Sequence, residues 1–135
     1  MDELAAFVAI TTSALLNETE PWLLACPTLP SRLRHSGSAV LYLPSVDALP
    51  AGLLTALAPA LRTDTSPLCL PLAPGAALAE QPGNGMTFGE HRCHLVALAL
   101  AGLVPRTSER QDSLAAIANV FSAHGVDPTR PHLGG

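Results

Sequence analysis

Leu4, Phe7, Val8, Thr11 and Leu15 recur at the three- and four-residue intervals that place side chains on one helical face, predicting a helix from Asp2 to about Asn17. Asp2 and Glu3 lie where the positive end of such a helix favours acidic groups. Pro21, Pro27 and Pro30 then break the chain into a loop-rich stretch around Trp22 and Cys26. The run GSAVLYL, Gly37 to Leu43, has the β-branched and aromatic content of a strand and is bounded by Gly37 and Pro44. Asp47 to Leu61 reads as a helix with Pro50 in its first turn and Pro59 near its last. PLCLPL, Pro67 to Leu72, predicts an edge strand, because prolines flank and enter it.

Ala73 to Thr87 reads as a loop rich in Gly and Pro. Thr87-Phe88-Gly89-Glu90 then fits a capping box, in which Thr87 accepts from the backbone and Glu90 reaches back. The helix it opens should run to about Val104. It is apolar nearly all round after His94, which predicts a central, buried position. Ser108 and Gln111 suggest a second box, opening a helix with Leu114, Ile117, Val120 and Phe121 as apolar positions and Gly125 as its end. Helices mixed with short strands, without βαβ alternation, give an α+β fold of about four helices and a short sheet of two or more strands. With 135 residues there is room for one core, so residues 1–135 are expected to form a single domain.

Charged residues make up 13% of the chain and hydrophobic residues 48%, which favours a partner covering part of the apolar surface. No apolar run approaches the ~18 residues of a membrane helix. The longest, Leu95 to Val104, follows His91, Arg92 and His94. The start Met1-Asp2-Glu3 is acidic where a secretory signal is basic. Cys26, Cys69 and Cys93 cannot all pair within the chain, so they read as thiols and the expected location is cytoplasmic. All seven basic residues are arginine, which removes any lysine base or Schiff base from consideration. A net charge of −4 without a basic stripe argues against nucleic acid.

Chemistry concentrates between Gly75 and His94. A Gly-rich turn feeding a capped helix aims backbone N–H groups and the helix dipole at one spot, which suits a phosphate, a carboxylate or a peptide. Gly83, Asn84, Gly85, Thr87 and Gly89 supply that turn, with His91 and Arg92 just beyond and Glu80 in the loop before it. The same residues are equally ordinary turn chemistry. His91 and His94 share a helical face at a spacing that can hold a metal ion, but Cys93 points about 100° away from His94. No metal site is therefore expected from one helix. No nucleophilic triad, P-loop or dinucleotide fingerprint occurs, and no cofactor is expected.

The ordered stretches Ala39-Val40-Leu41-Tyr42-Leu43, Pro71-Leu72-Ala73-Pro74-Gly75, Leu78-Ala79-Glu80, Pro82-Gly83-Asn84-Gly85 and Phe88-Gly89-Glu90-His91-Arg92-Cys93 resemble the C-terminal half of the HopA-type effector family. Gly125-Val126-Asp127 with Arg130-Pro131 resembles that family's ending, so the resemblance covers residues 37–133. The family includes plant-pathogen effectors and proteins encoded beside class V lanthipeptide and thioviridamide-like pathways. There a kinase phosphorylates Ser or Thr of a precursor peptide, a HopA-like partner eliminates phosphate, and cysteine thiols add to the dehydroamino acid. This chain departs from the family pattern: residues 1–36 stand where a longer region is usual, lysine is absent, and His94 replaces an expected arginine. The resemblance implies the small third subunit of such a synthetase, with kinase and lyase subunits and the precursor peptide as partners. On that basis the chain promotes thioether ring formation, with His91 as acid/base, Glu80 orienting it, and Arg92 or helix N–H groups steadying the enolate. A non-catalytic scaffold is one alternative. Another is half of a phosphopeptide lyase, with Arg92 and the Gly83–Gly89 turn holding the leaving phosphate.

Overall fold

The computed structural model of the protein describes residues 3–27, 39–103 and 110–134. Helices α1 (Glu3–Leu15), α2 (Leu53–Leu57), α3 (Phe88–Ala101) and α4 (Arg110–Ala123) accompany strands β1 (Leu23–Ala25), β2 (Val40–Tyr42), β3 (Leu70–Ala73) and β4 (Ala76–Leu78). The strands make two separate two-stranded sheets, β1 with β2 and β3 with β4. The arrangement is α+β, as expected. The chain divides into two compact units, one of Met1–Ser66 with Pro71–Ala77 and one of Pro67–Leu70 with Leu78–Gly135.

In the first unit α1 packs on α2. Thr11 and Leu15 are buried while Leu4, Phe7 and Val8 are half-buried, so the face read from the spacing is the face that faces inward. Leu53 and Leu57 bury from α2. β1 and β2 run antiparallel, with Leu23 opposite Tyr42, Leu24 opposite Leu41 and Ala25 opposite Val40. β2 falls inside the predicted strand, whose first residues Gly37 and Ser38 lie outside the described residues. The helix expected over 47–61 is corrected to three pieces: one-turn 3-10 helices at Val46–Ala48 and Ala58–Ala60, with α2 between them. Gly52 adopts a left-handed φ of 82°, a conformation that cannot continue a right-handed helix.

β3 and β4 are joined by Pro74 and Gly75, with Gly75 at φ 77°. Proline followed by a positive-φ glycine is the signature of a type II turn. β3 starts three residues later than the predicted strand, and β4 occupies part of the stretch read as loop. A three-residue strand of Ala-Ala-Leu carries no alternation from which to read it.

In the second unit α3 packs on α4. Leu95, Phe121 and Val126 form its buried centre, with Leu68, Val96, Ile117 and Val120 packed against them. Gly125, at φ 78°, ends α4 as expected, and the Val126 N–H closes back on the Phe121 carbonyl at 2.9 Å. That six-to-one bond is the mark of a Schellman ending, with Val126 delivered into the core by it. Two expectations are corrected. α3 is buried only along His91, Arg92, Leu95 and Ala99, while Leu98 and Leu100 are 42% and 47% exposed. Leu114 is exposed as well, leaving Ile117, Val120 and Phe121 to carry the inner face of α4. One neighbouring helix covers one stripe, whatever the composition of the remainder. The box expected from Ser108 lies outside the described residues. Among the described residues no helix is long and apolar enough to cross a membrane.

Candidate functional site

The N-terminus of α3 is built as its sequence suggests. The Glu90 carboxylate Oε2 accepts from the Thr87 N–H at 2.9 Å and the Thr87 hydroxyl at 2.8 Å, and the Glu90 N–H donates to Thr87 Oγ1 at 3.3 Å. These bonds, the backbone one first, hold the Glu90 carboxyl below its ordinary pKa. Ahead of the cap, Asn84 Oδ1 accepts from the Met86 N–H at 3.1 Å, and Gly85 has a φ of 82°. Gly83, Gly85 and Gly89 all border open space. Sequence reasoning missed Gln81, whose Oε1 accepts from the Phe88 N–H at 2.8 Å across the turn. Of the first three N–H groups of α3, those of Phe88 and Glu90 are thus already satisfied from within, and a carboxylate already sits there.

One turn further on, Arg92 is only 1% exposed. Its guanidinium stacks over the Phe88 ring with 5.0 Å to the centroid. Nε donates to the Pro131 carbonyl at 2.9 Å, Nη2 donates to the Leu133 carbonyl, and Nη1 meets His91 Nδ1 at 2.5 Å. Glu80 engages the same C-terminal segment. Its N–H donates to the His132 carbonyl at 2.8 Å, and its Oε2 accepts from the Gly134 N–H at 2.8 Å. Glu80 and Arg92 therefore both hold residues 131–134, and His91 bonds to Arg92. The partner of Glu80 is Gly134, and the partner of the His91 ring is Arg92. No local pattern in the sequence marks the carbonyls of Pro131 and Leu133 as acceptors from a helix 39 and 41 positions earlier.

A guanidinium has no lone pair to offer, so His91 Nδ1 must be the acceptor and its proton sits on Nε2. Burial, then the charge of Arg92, then His124 and His94 push the His91 pKa down and keep it neutral. Asp127 accepts from the Thr129 hydroxyl at 2.6 Å, the Thr129 N–H at 2.8 Å and Arg130 Nε at 3.0 Å. Those bonds lower its pKa from 3.8 to about 2. Both groups have folded pKa values below their unfolded ones, so both favour the fold at higher pH and withdraw that favour as pH falls. The His91 contribution is complete above the ordinary imidazole value of 6.5 and is lost below it, through the depressed folded value. The Asp127 contribution is complete above 3.8 and is lost toward about 2. Thermal midpoints measured against pH should therefore fall in two acid steps. His91→Asn, whose amide oxygen can still accept from Arg92, should remove the upper step and leave the lower. A single step in the wild type would contradict the neutral His91.

Among the described residues no three His, Cys, Asp or Glu side chains come together as metal ligands. Cys93 is exposed, Cys26 and Cys69 are half-buried, and all three are free thiols. The arrangement can bind main-chain carbonyls through Arg92 and a main-chain N–H through Glu80, and it can present His91 Nε2–H as a neutral donor.

The model of the HopA1 effector protein family matches residues 2–133 of this chain. The match takes in α1 as well as the region from residue 37 onward. No curated protein matches the chain.

Proposed function

The chain belongs to the HopA1 effector protein family, and from that premise we propose that it serves as a peptide-handling subunit of a cytoplasmic lanthipeptide-type synthetase. Its partners are the kinase and lyase subunits and the precursor peptide. It promotes thioether closure by holding the precursor so that a cysteine thiol meets a dehydrated Ser or Thr, and does not itself supply the base. The observation that carries this reading is the engagement of Arg92, Glu80 and His91 Nδ1 in main-chain and mutual hydrogen bonds. A guanidinium so occupied is a poor enolate clamp. A histidine whose pKa is depressed by burial and by Arg92 is a weak thiol base. Orientation alone can still accelerate an addition that proceeds slowly unaided, because it replaces a search between two flexible partners by one near-attack geometry. Exposed Leu98, Leu100 and Leu114 give such a subunit apolar surface for its partners.

The test is a free-thiol count, by alkylation and mass spectrometry, on a dehydrated cysteine-containing precursor with and without the protein, and with kinase and lyase subunits then added. Faster thiol loss that survives His91→Asn is expected. Loss of the acceleration in a folded His91→Asn protein would restore His91 as the base through Nε2. No acceleration in any combination would remove thioether closure from this chain's role.

A further inference from the structure

The hydrogen bonds that grip four consecutive residues of the C-terminal segment all use its main chain. The carbonyls of Pro131 and Leu133 accept from Arg92, the carbonyl of His132 accepts from the Glu80 N–H, and the N–H of Gly134 donates to the Glu80 carboxylate. None of these bonds uses a side chain of the gripped segment. The gripping side, by contrast, is specific and deliberate. It pairs a planar guanidinium, backed by the Phe88 ring and by a neutral His91 imidazole, with a carboxylate that accepts where the guanidinium donates. The order of groups read is carbonyl, carbonyl, carbonyl, N–H, in a segment that enters through a turn closed by the Leu133 N–H on the Arg130 carbonyl at 3.1 Å.

Hydrogen bonds to the main chain alone can be made to many sequences. We infer that Glu80 and Arg92 form a main-chain-binding site for a peptide segment, which the chain's own residues 131–134 occupy in cis as a displaceable latch. The partner is a peptide able to present three successive carbonyls and a following N–H in the same turn. A precursor that must be held at several positions is such a peptide, and the inference rests on the peptide-handling reading for that identity alone. Residues 131–134 belong to no helix or strand, and such segments open locally at lower free energy than packed helices do, which is what displacement requires.

The experiment uses a fluorescent synthetic peptide of residues 128–135. A chain truncated after Asp127 should bind it saturably, and the intact chain should bind it about tenfold more weakly or worse, because its own tail fills the site. Arg92→Ala in the truncated chain should abolish binding. An unlabelled dehydrated precursor should displace the probe. If truncation prevents folding, Gly134→Pro in the full chain removes the N–H donated to Glu80 and should let the full chain take up the probe. Absence of saturable binding to a folded truncated chain, or equal binding by the intact one, overturns the latch. Failure of the precursor to compete overturns the peptide site while leaving the thiol-loss result untouched. Thiol acceleration can likewise fail with probe binding intact, so the two readings fall separately.

Discussion

Arg92→Met should lower stability by about 3 kcal/mol, the largest loss expected from a polar position in this chain. Methionine fills much of the same volume, so the loss isolates hydrogen bonding from packing. It leaves the carbonyls of Pro131 and Leu133 and the lone pair of His91 Nδ1 without their donor. Each deserted acceptor in a part-buried place costs about 1 kcal/mol. Arg92→Lys should recover little of this, because an ammonium on a flexible stem cannot face three diverging acceptors at once as a guanidinium does. Urea unfolding followed by circular dichroism should show the midpoint falling with an unchanged slope. A loss below about 0.5 kcal/mol would mean that water or the chain's own relaxation replaces the clamp, and that Arg92 is not structural.

Gly75→Ala should be nearly as damaging, at about 2–4 kcal/mol, for two separable reasons. The backbone at Gly75 is left-handed, with φ 77°, and an added Cβ would lie 1.6 Å from the Arg62 carbonyl oxygen. No side-chain adjustment relieves an overlap with backbone, so either the Pro74-Gly75 turn or the segment at Arg62 must move. Gly52→Ala separates the terms, because Gly52 has φ 82° but open space around it. That substitution should cost about 1 kcal/mol, the price of the left-handed conformation alone. Gly83→Ala meets neither obstacle and should be close to neutral. If Gly75→Ala and Gly52→Ala prove equal by urea unfolding, the close approach to Arg62 is not rigid.

What the sequence made legible was local. The face of α1 follows from Leu4, Phe7, Val8, Thr11 and Leu15, and the start of α3 from Thr87 and Glu90, because both depend on residues within a turn or two of one another. The end of α4 at Gly125 is of the same kind. The exposure of Leu98, Leu100 and Leu114 was not legible, since it depends on how many neighbours a helix receives and not on its own period. Strands β1 and β4 are three residues long, too short for alternation to register. At the site, the sequence singles out Glu80, His91 and Arg92 by residue type and place, but not the segment that Glu80 and Arg92 hold. Glu80 and Arg92 converge on the chain's own tail, and main-chain acceptors leave no trace in the letters of the sequence.

The separation of 39 and 41 positions between Arg92 and its two carbonyl partners also bears on time. Closing a loop of that length forfeits chain entropy that is recovered only once α3 and α4 have built a surface for the tail to land on. The clamp is therefore expected to form late in folding, so that its loss speeds unfolding more than it slows folding. Loosening it should shorten the lifetime of the folded chain while leaving the speed of its formation nearly unchanged. Whatever segment fills the clamp, the chain's own tail or a peptide in its place, should then lengthen the time this protein stays folded, and the helices should set how quickly it gets there.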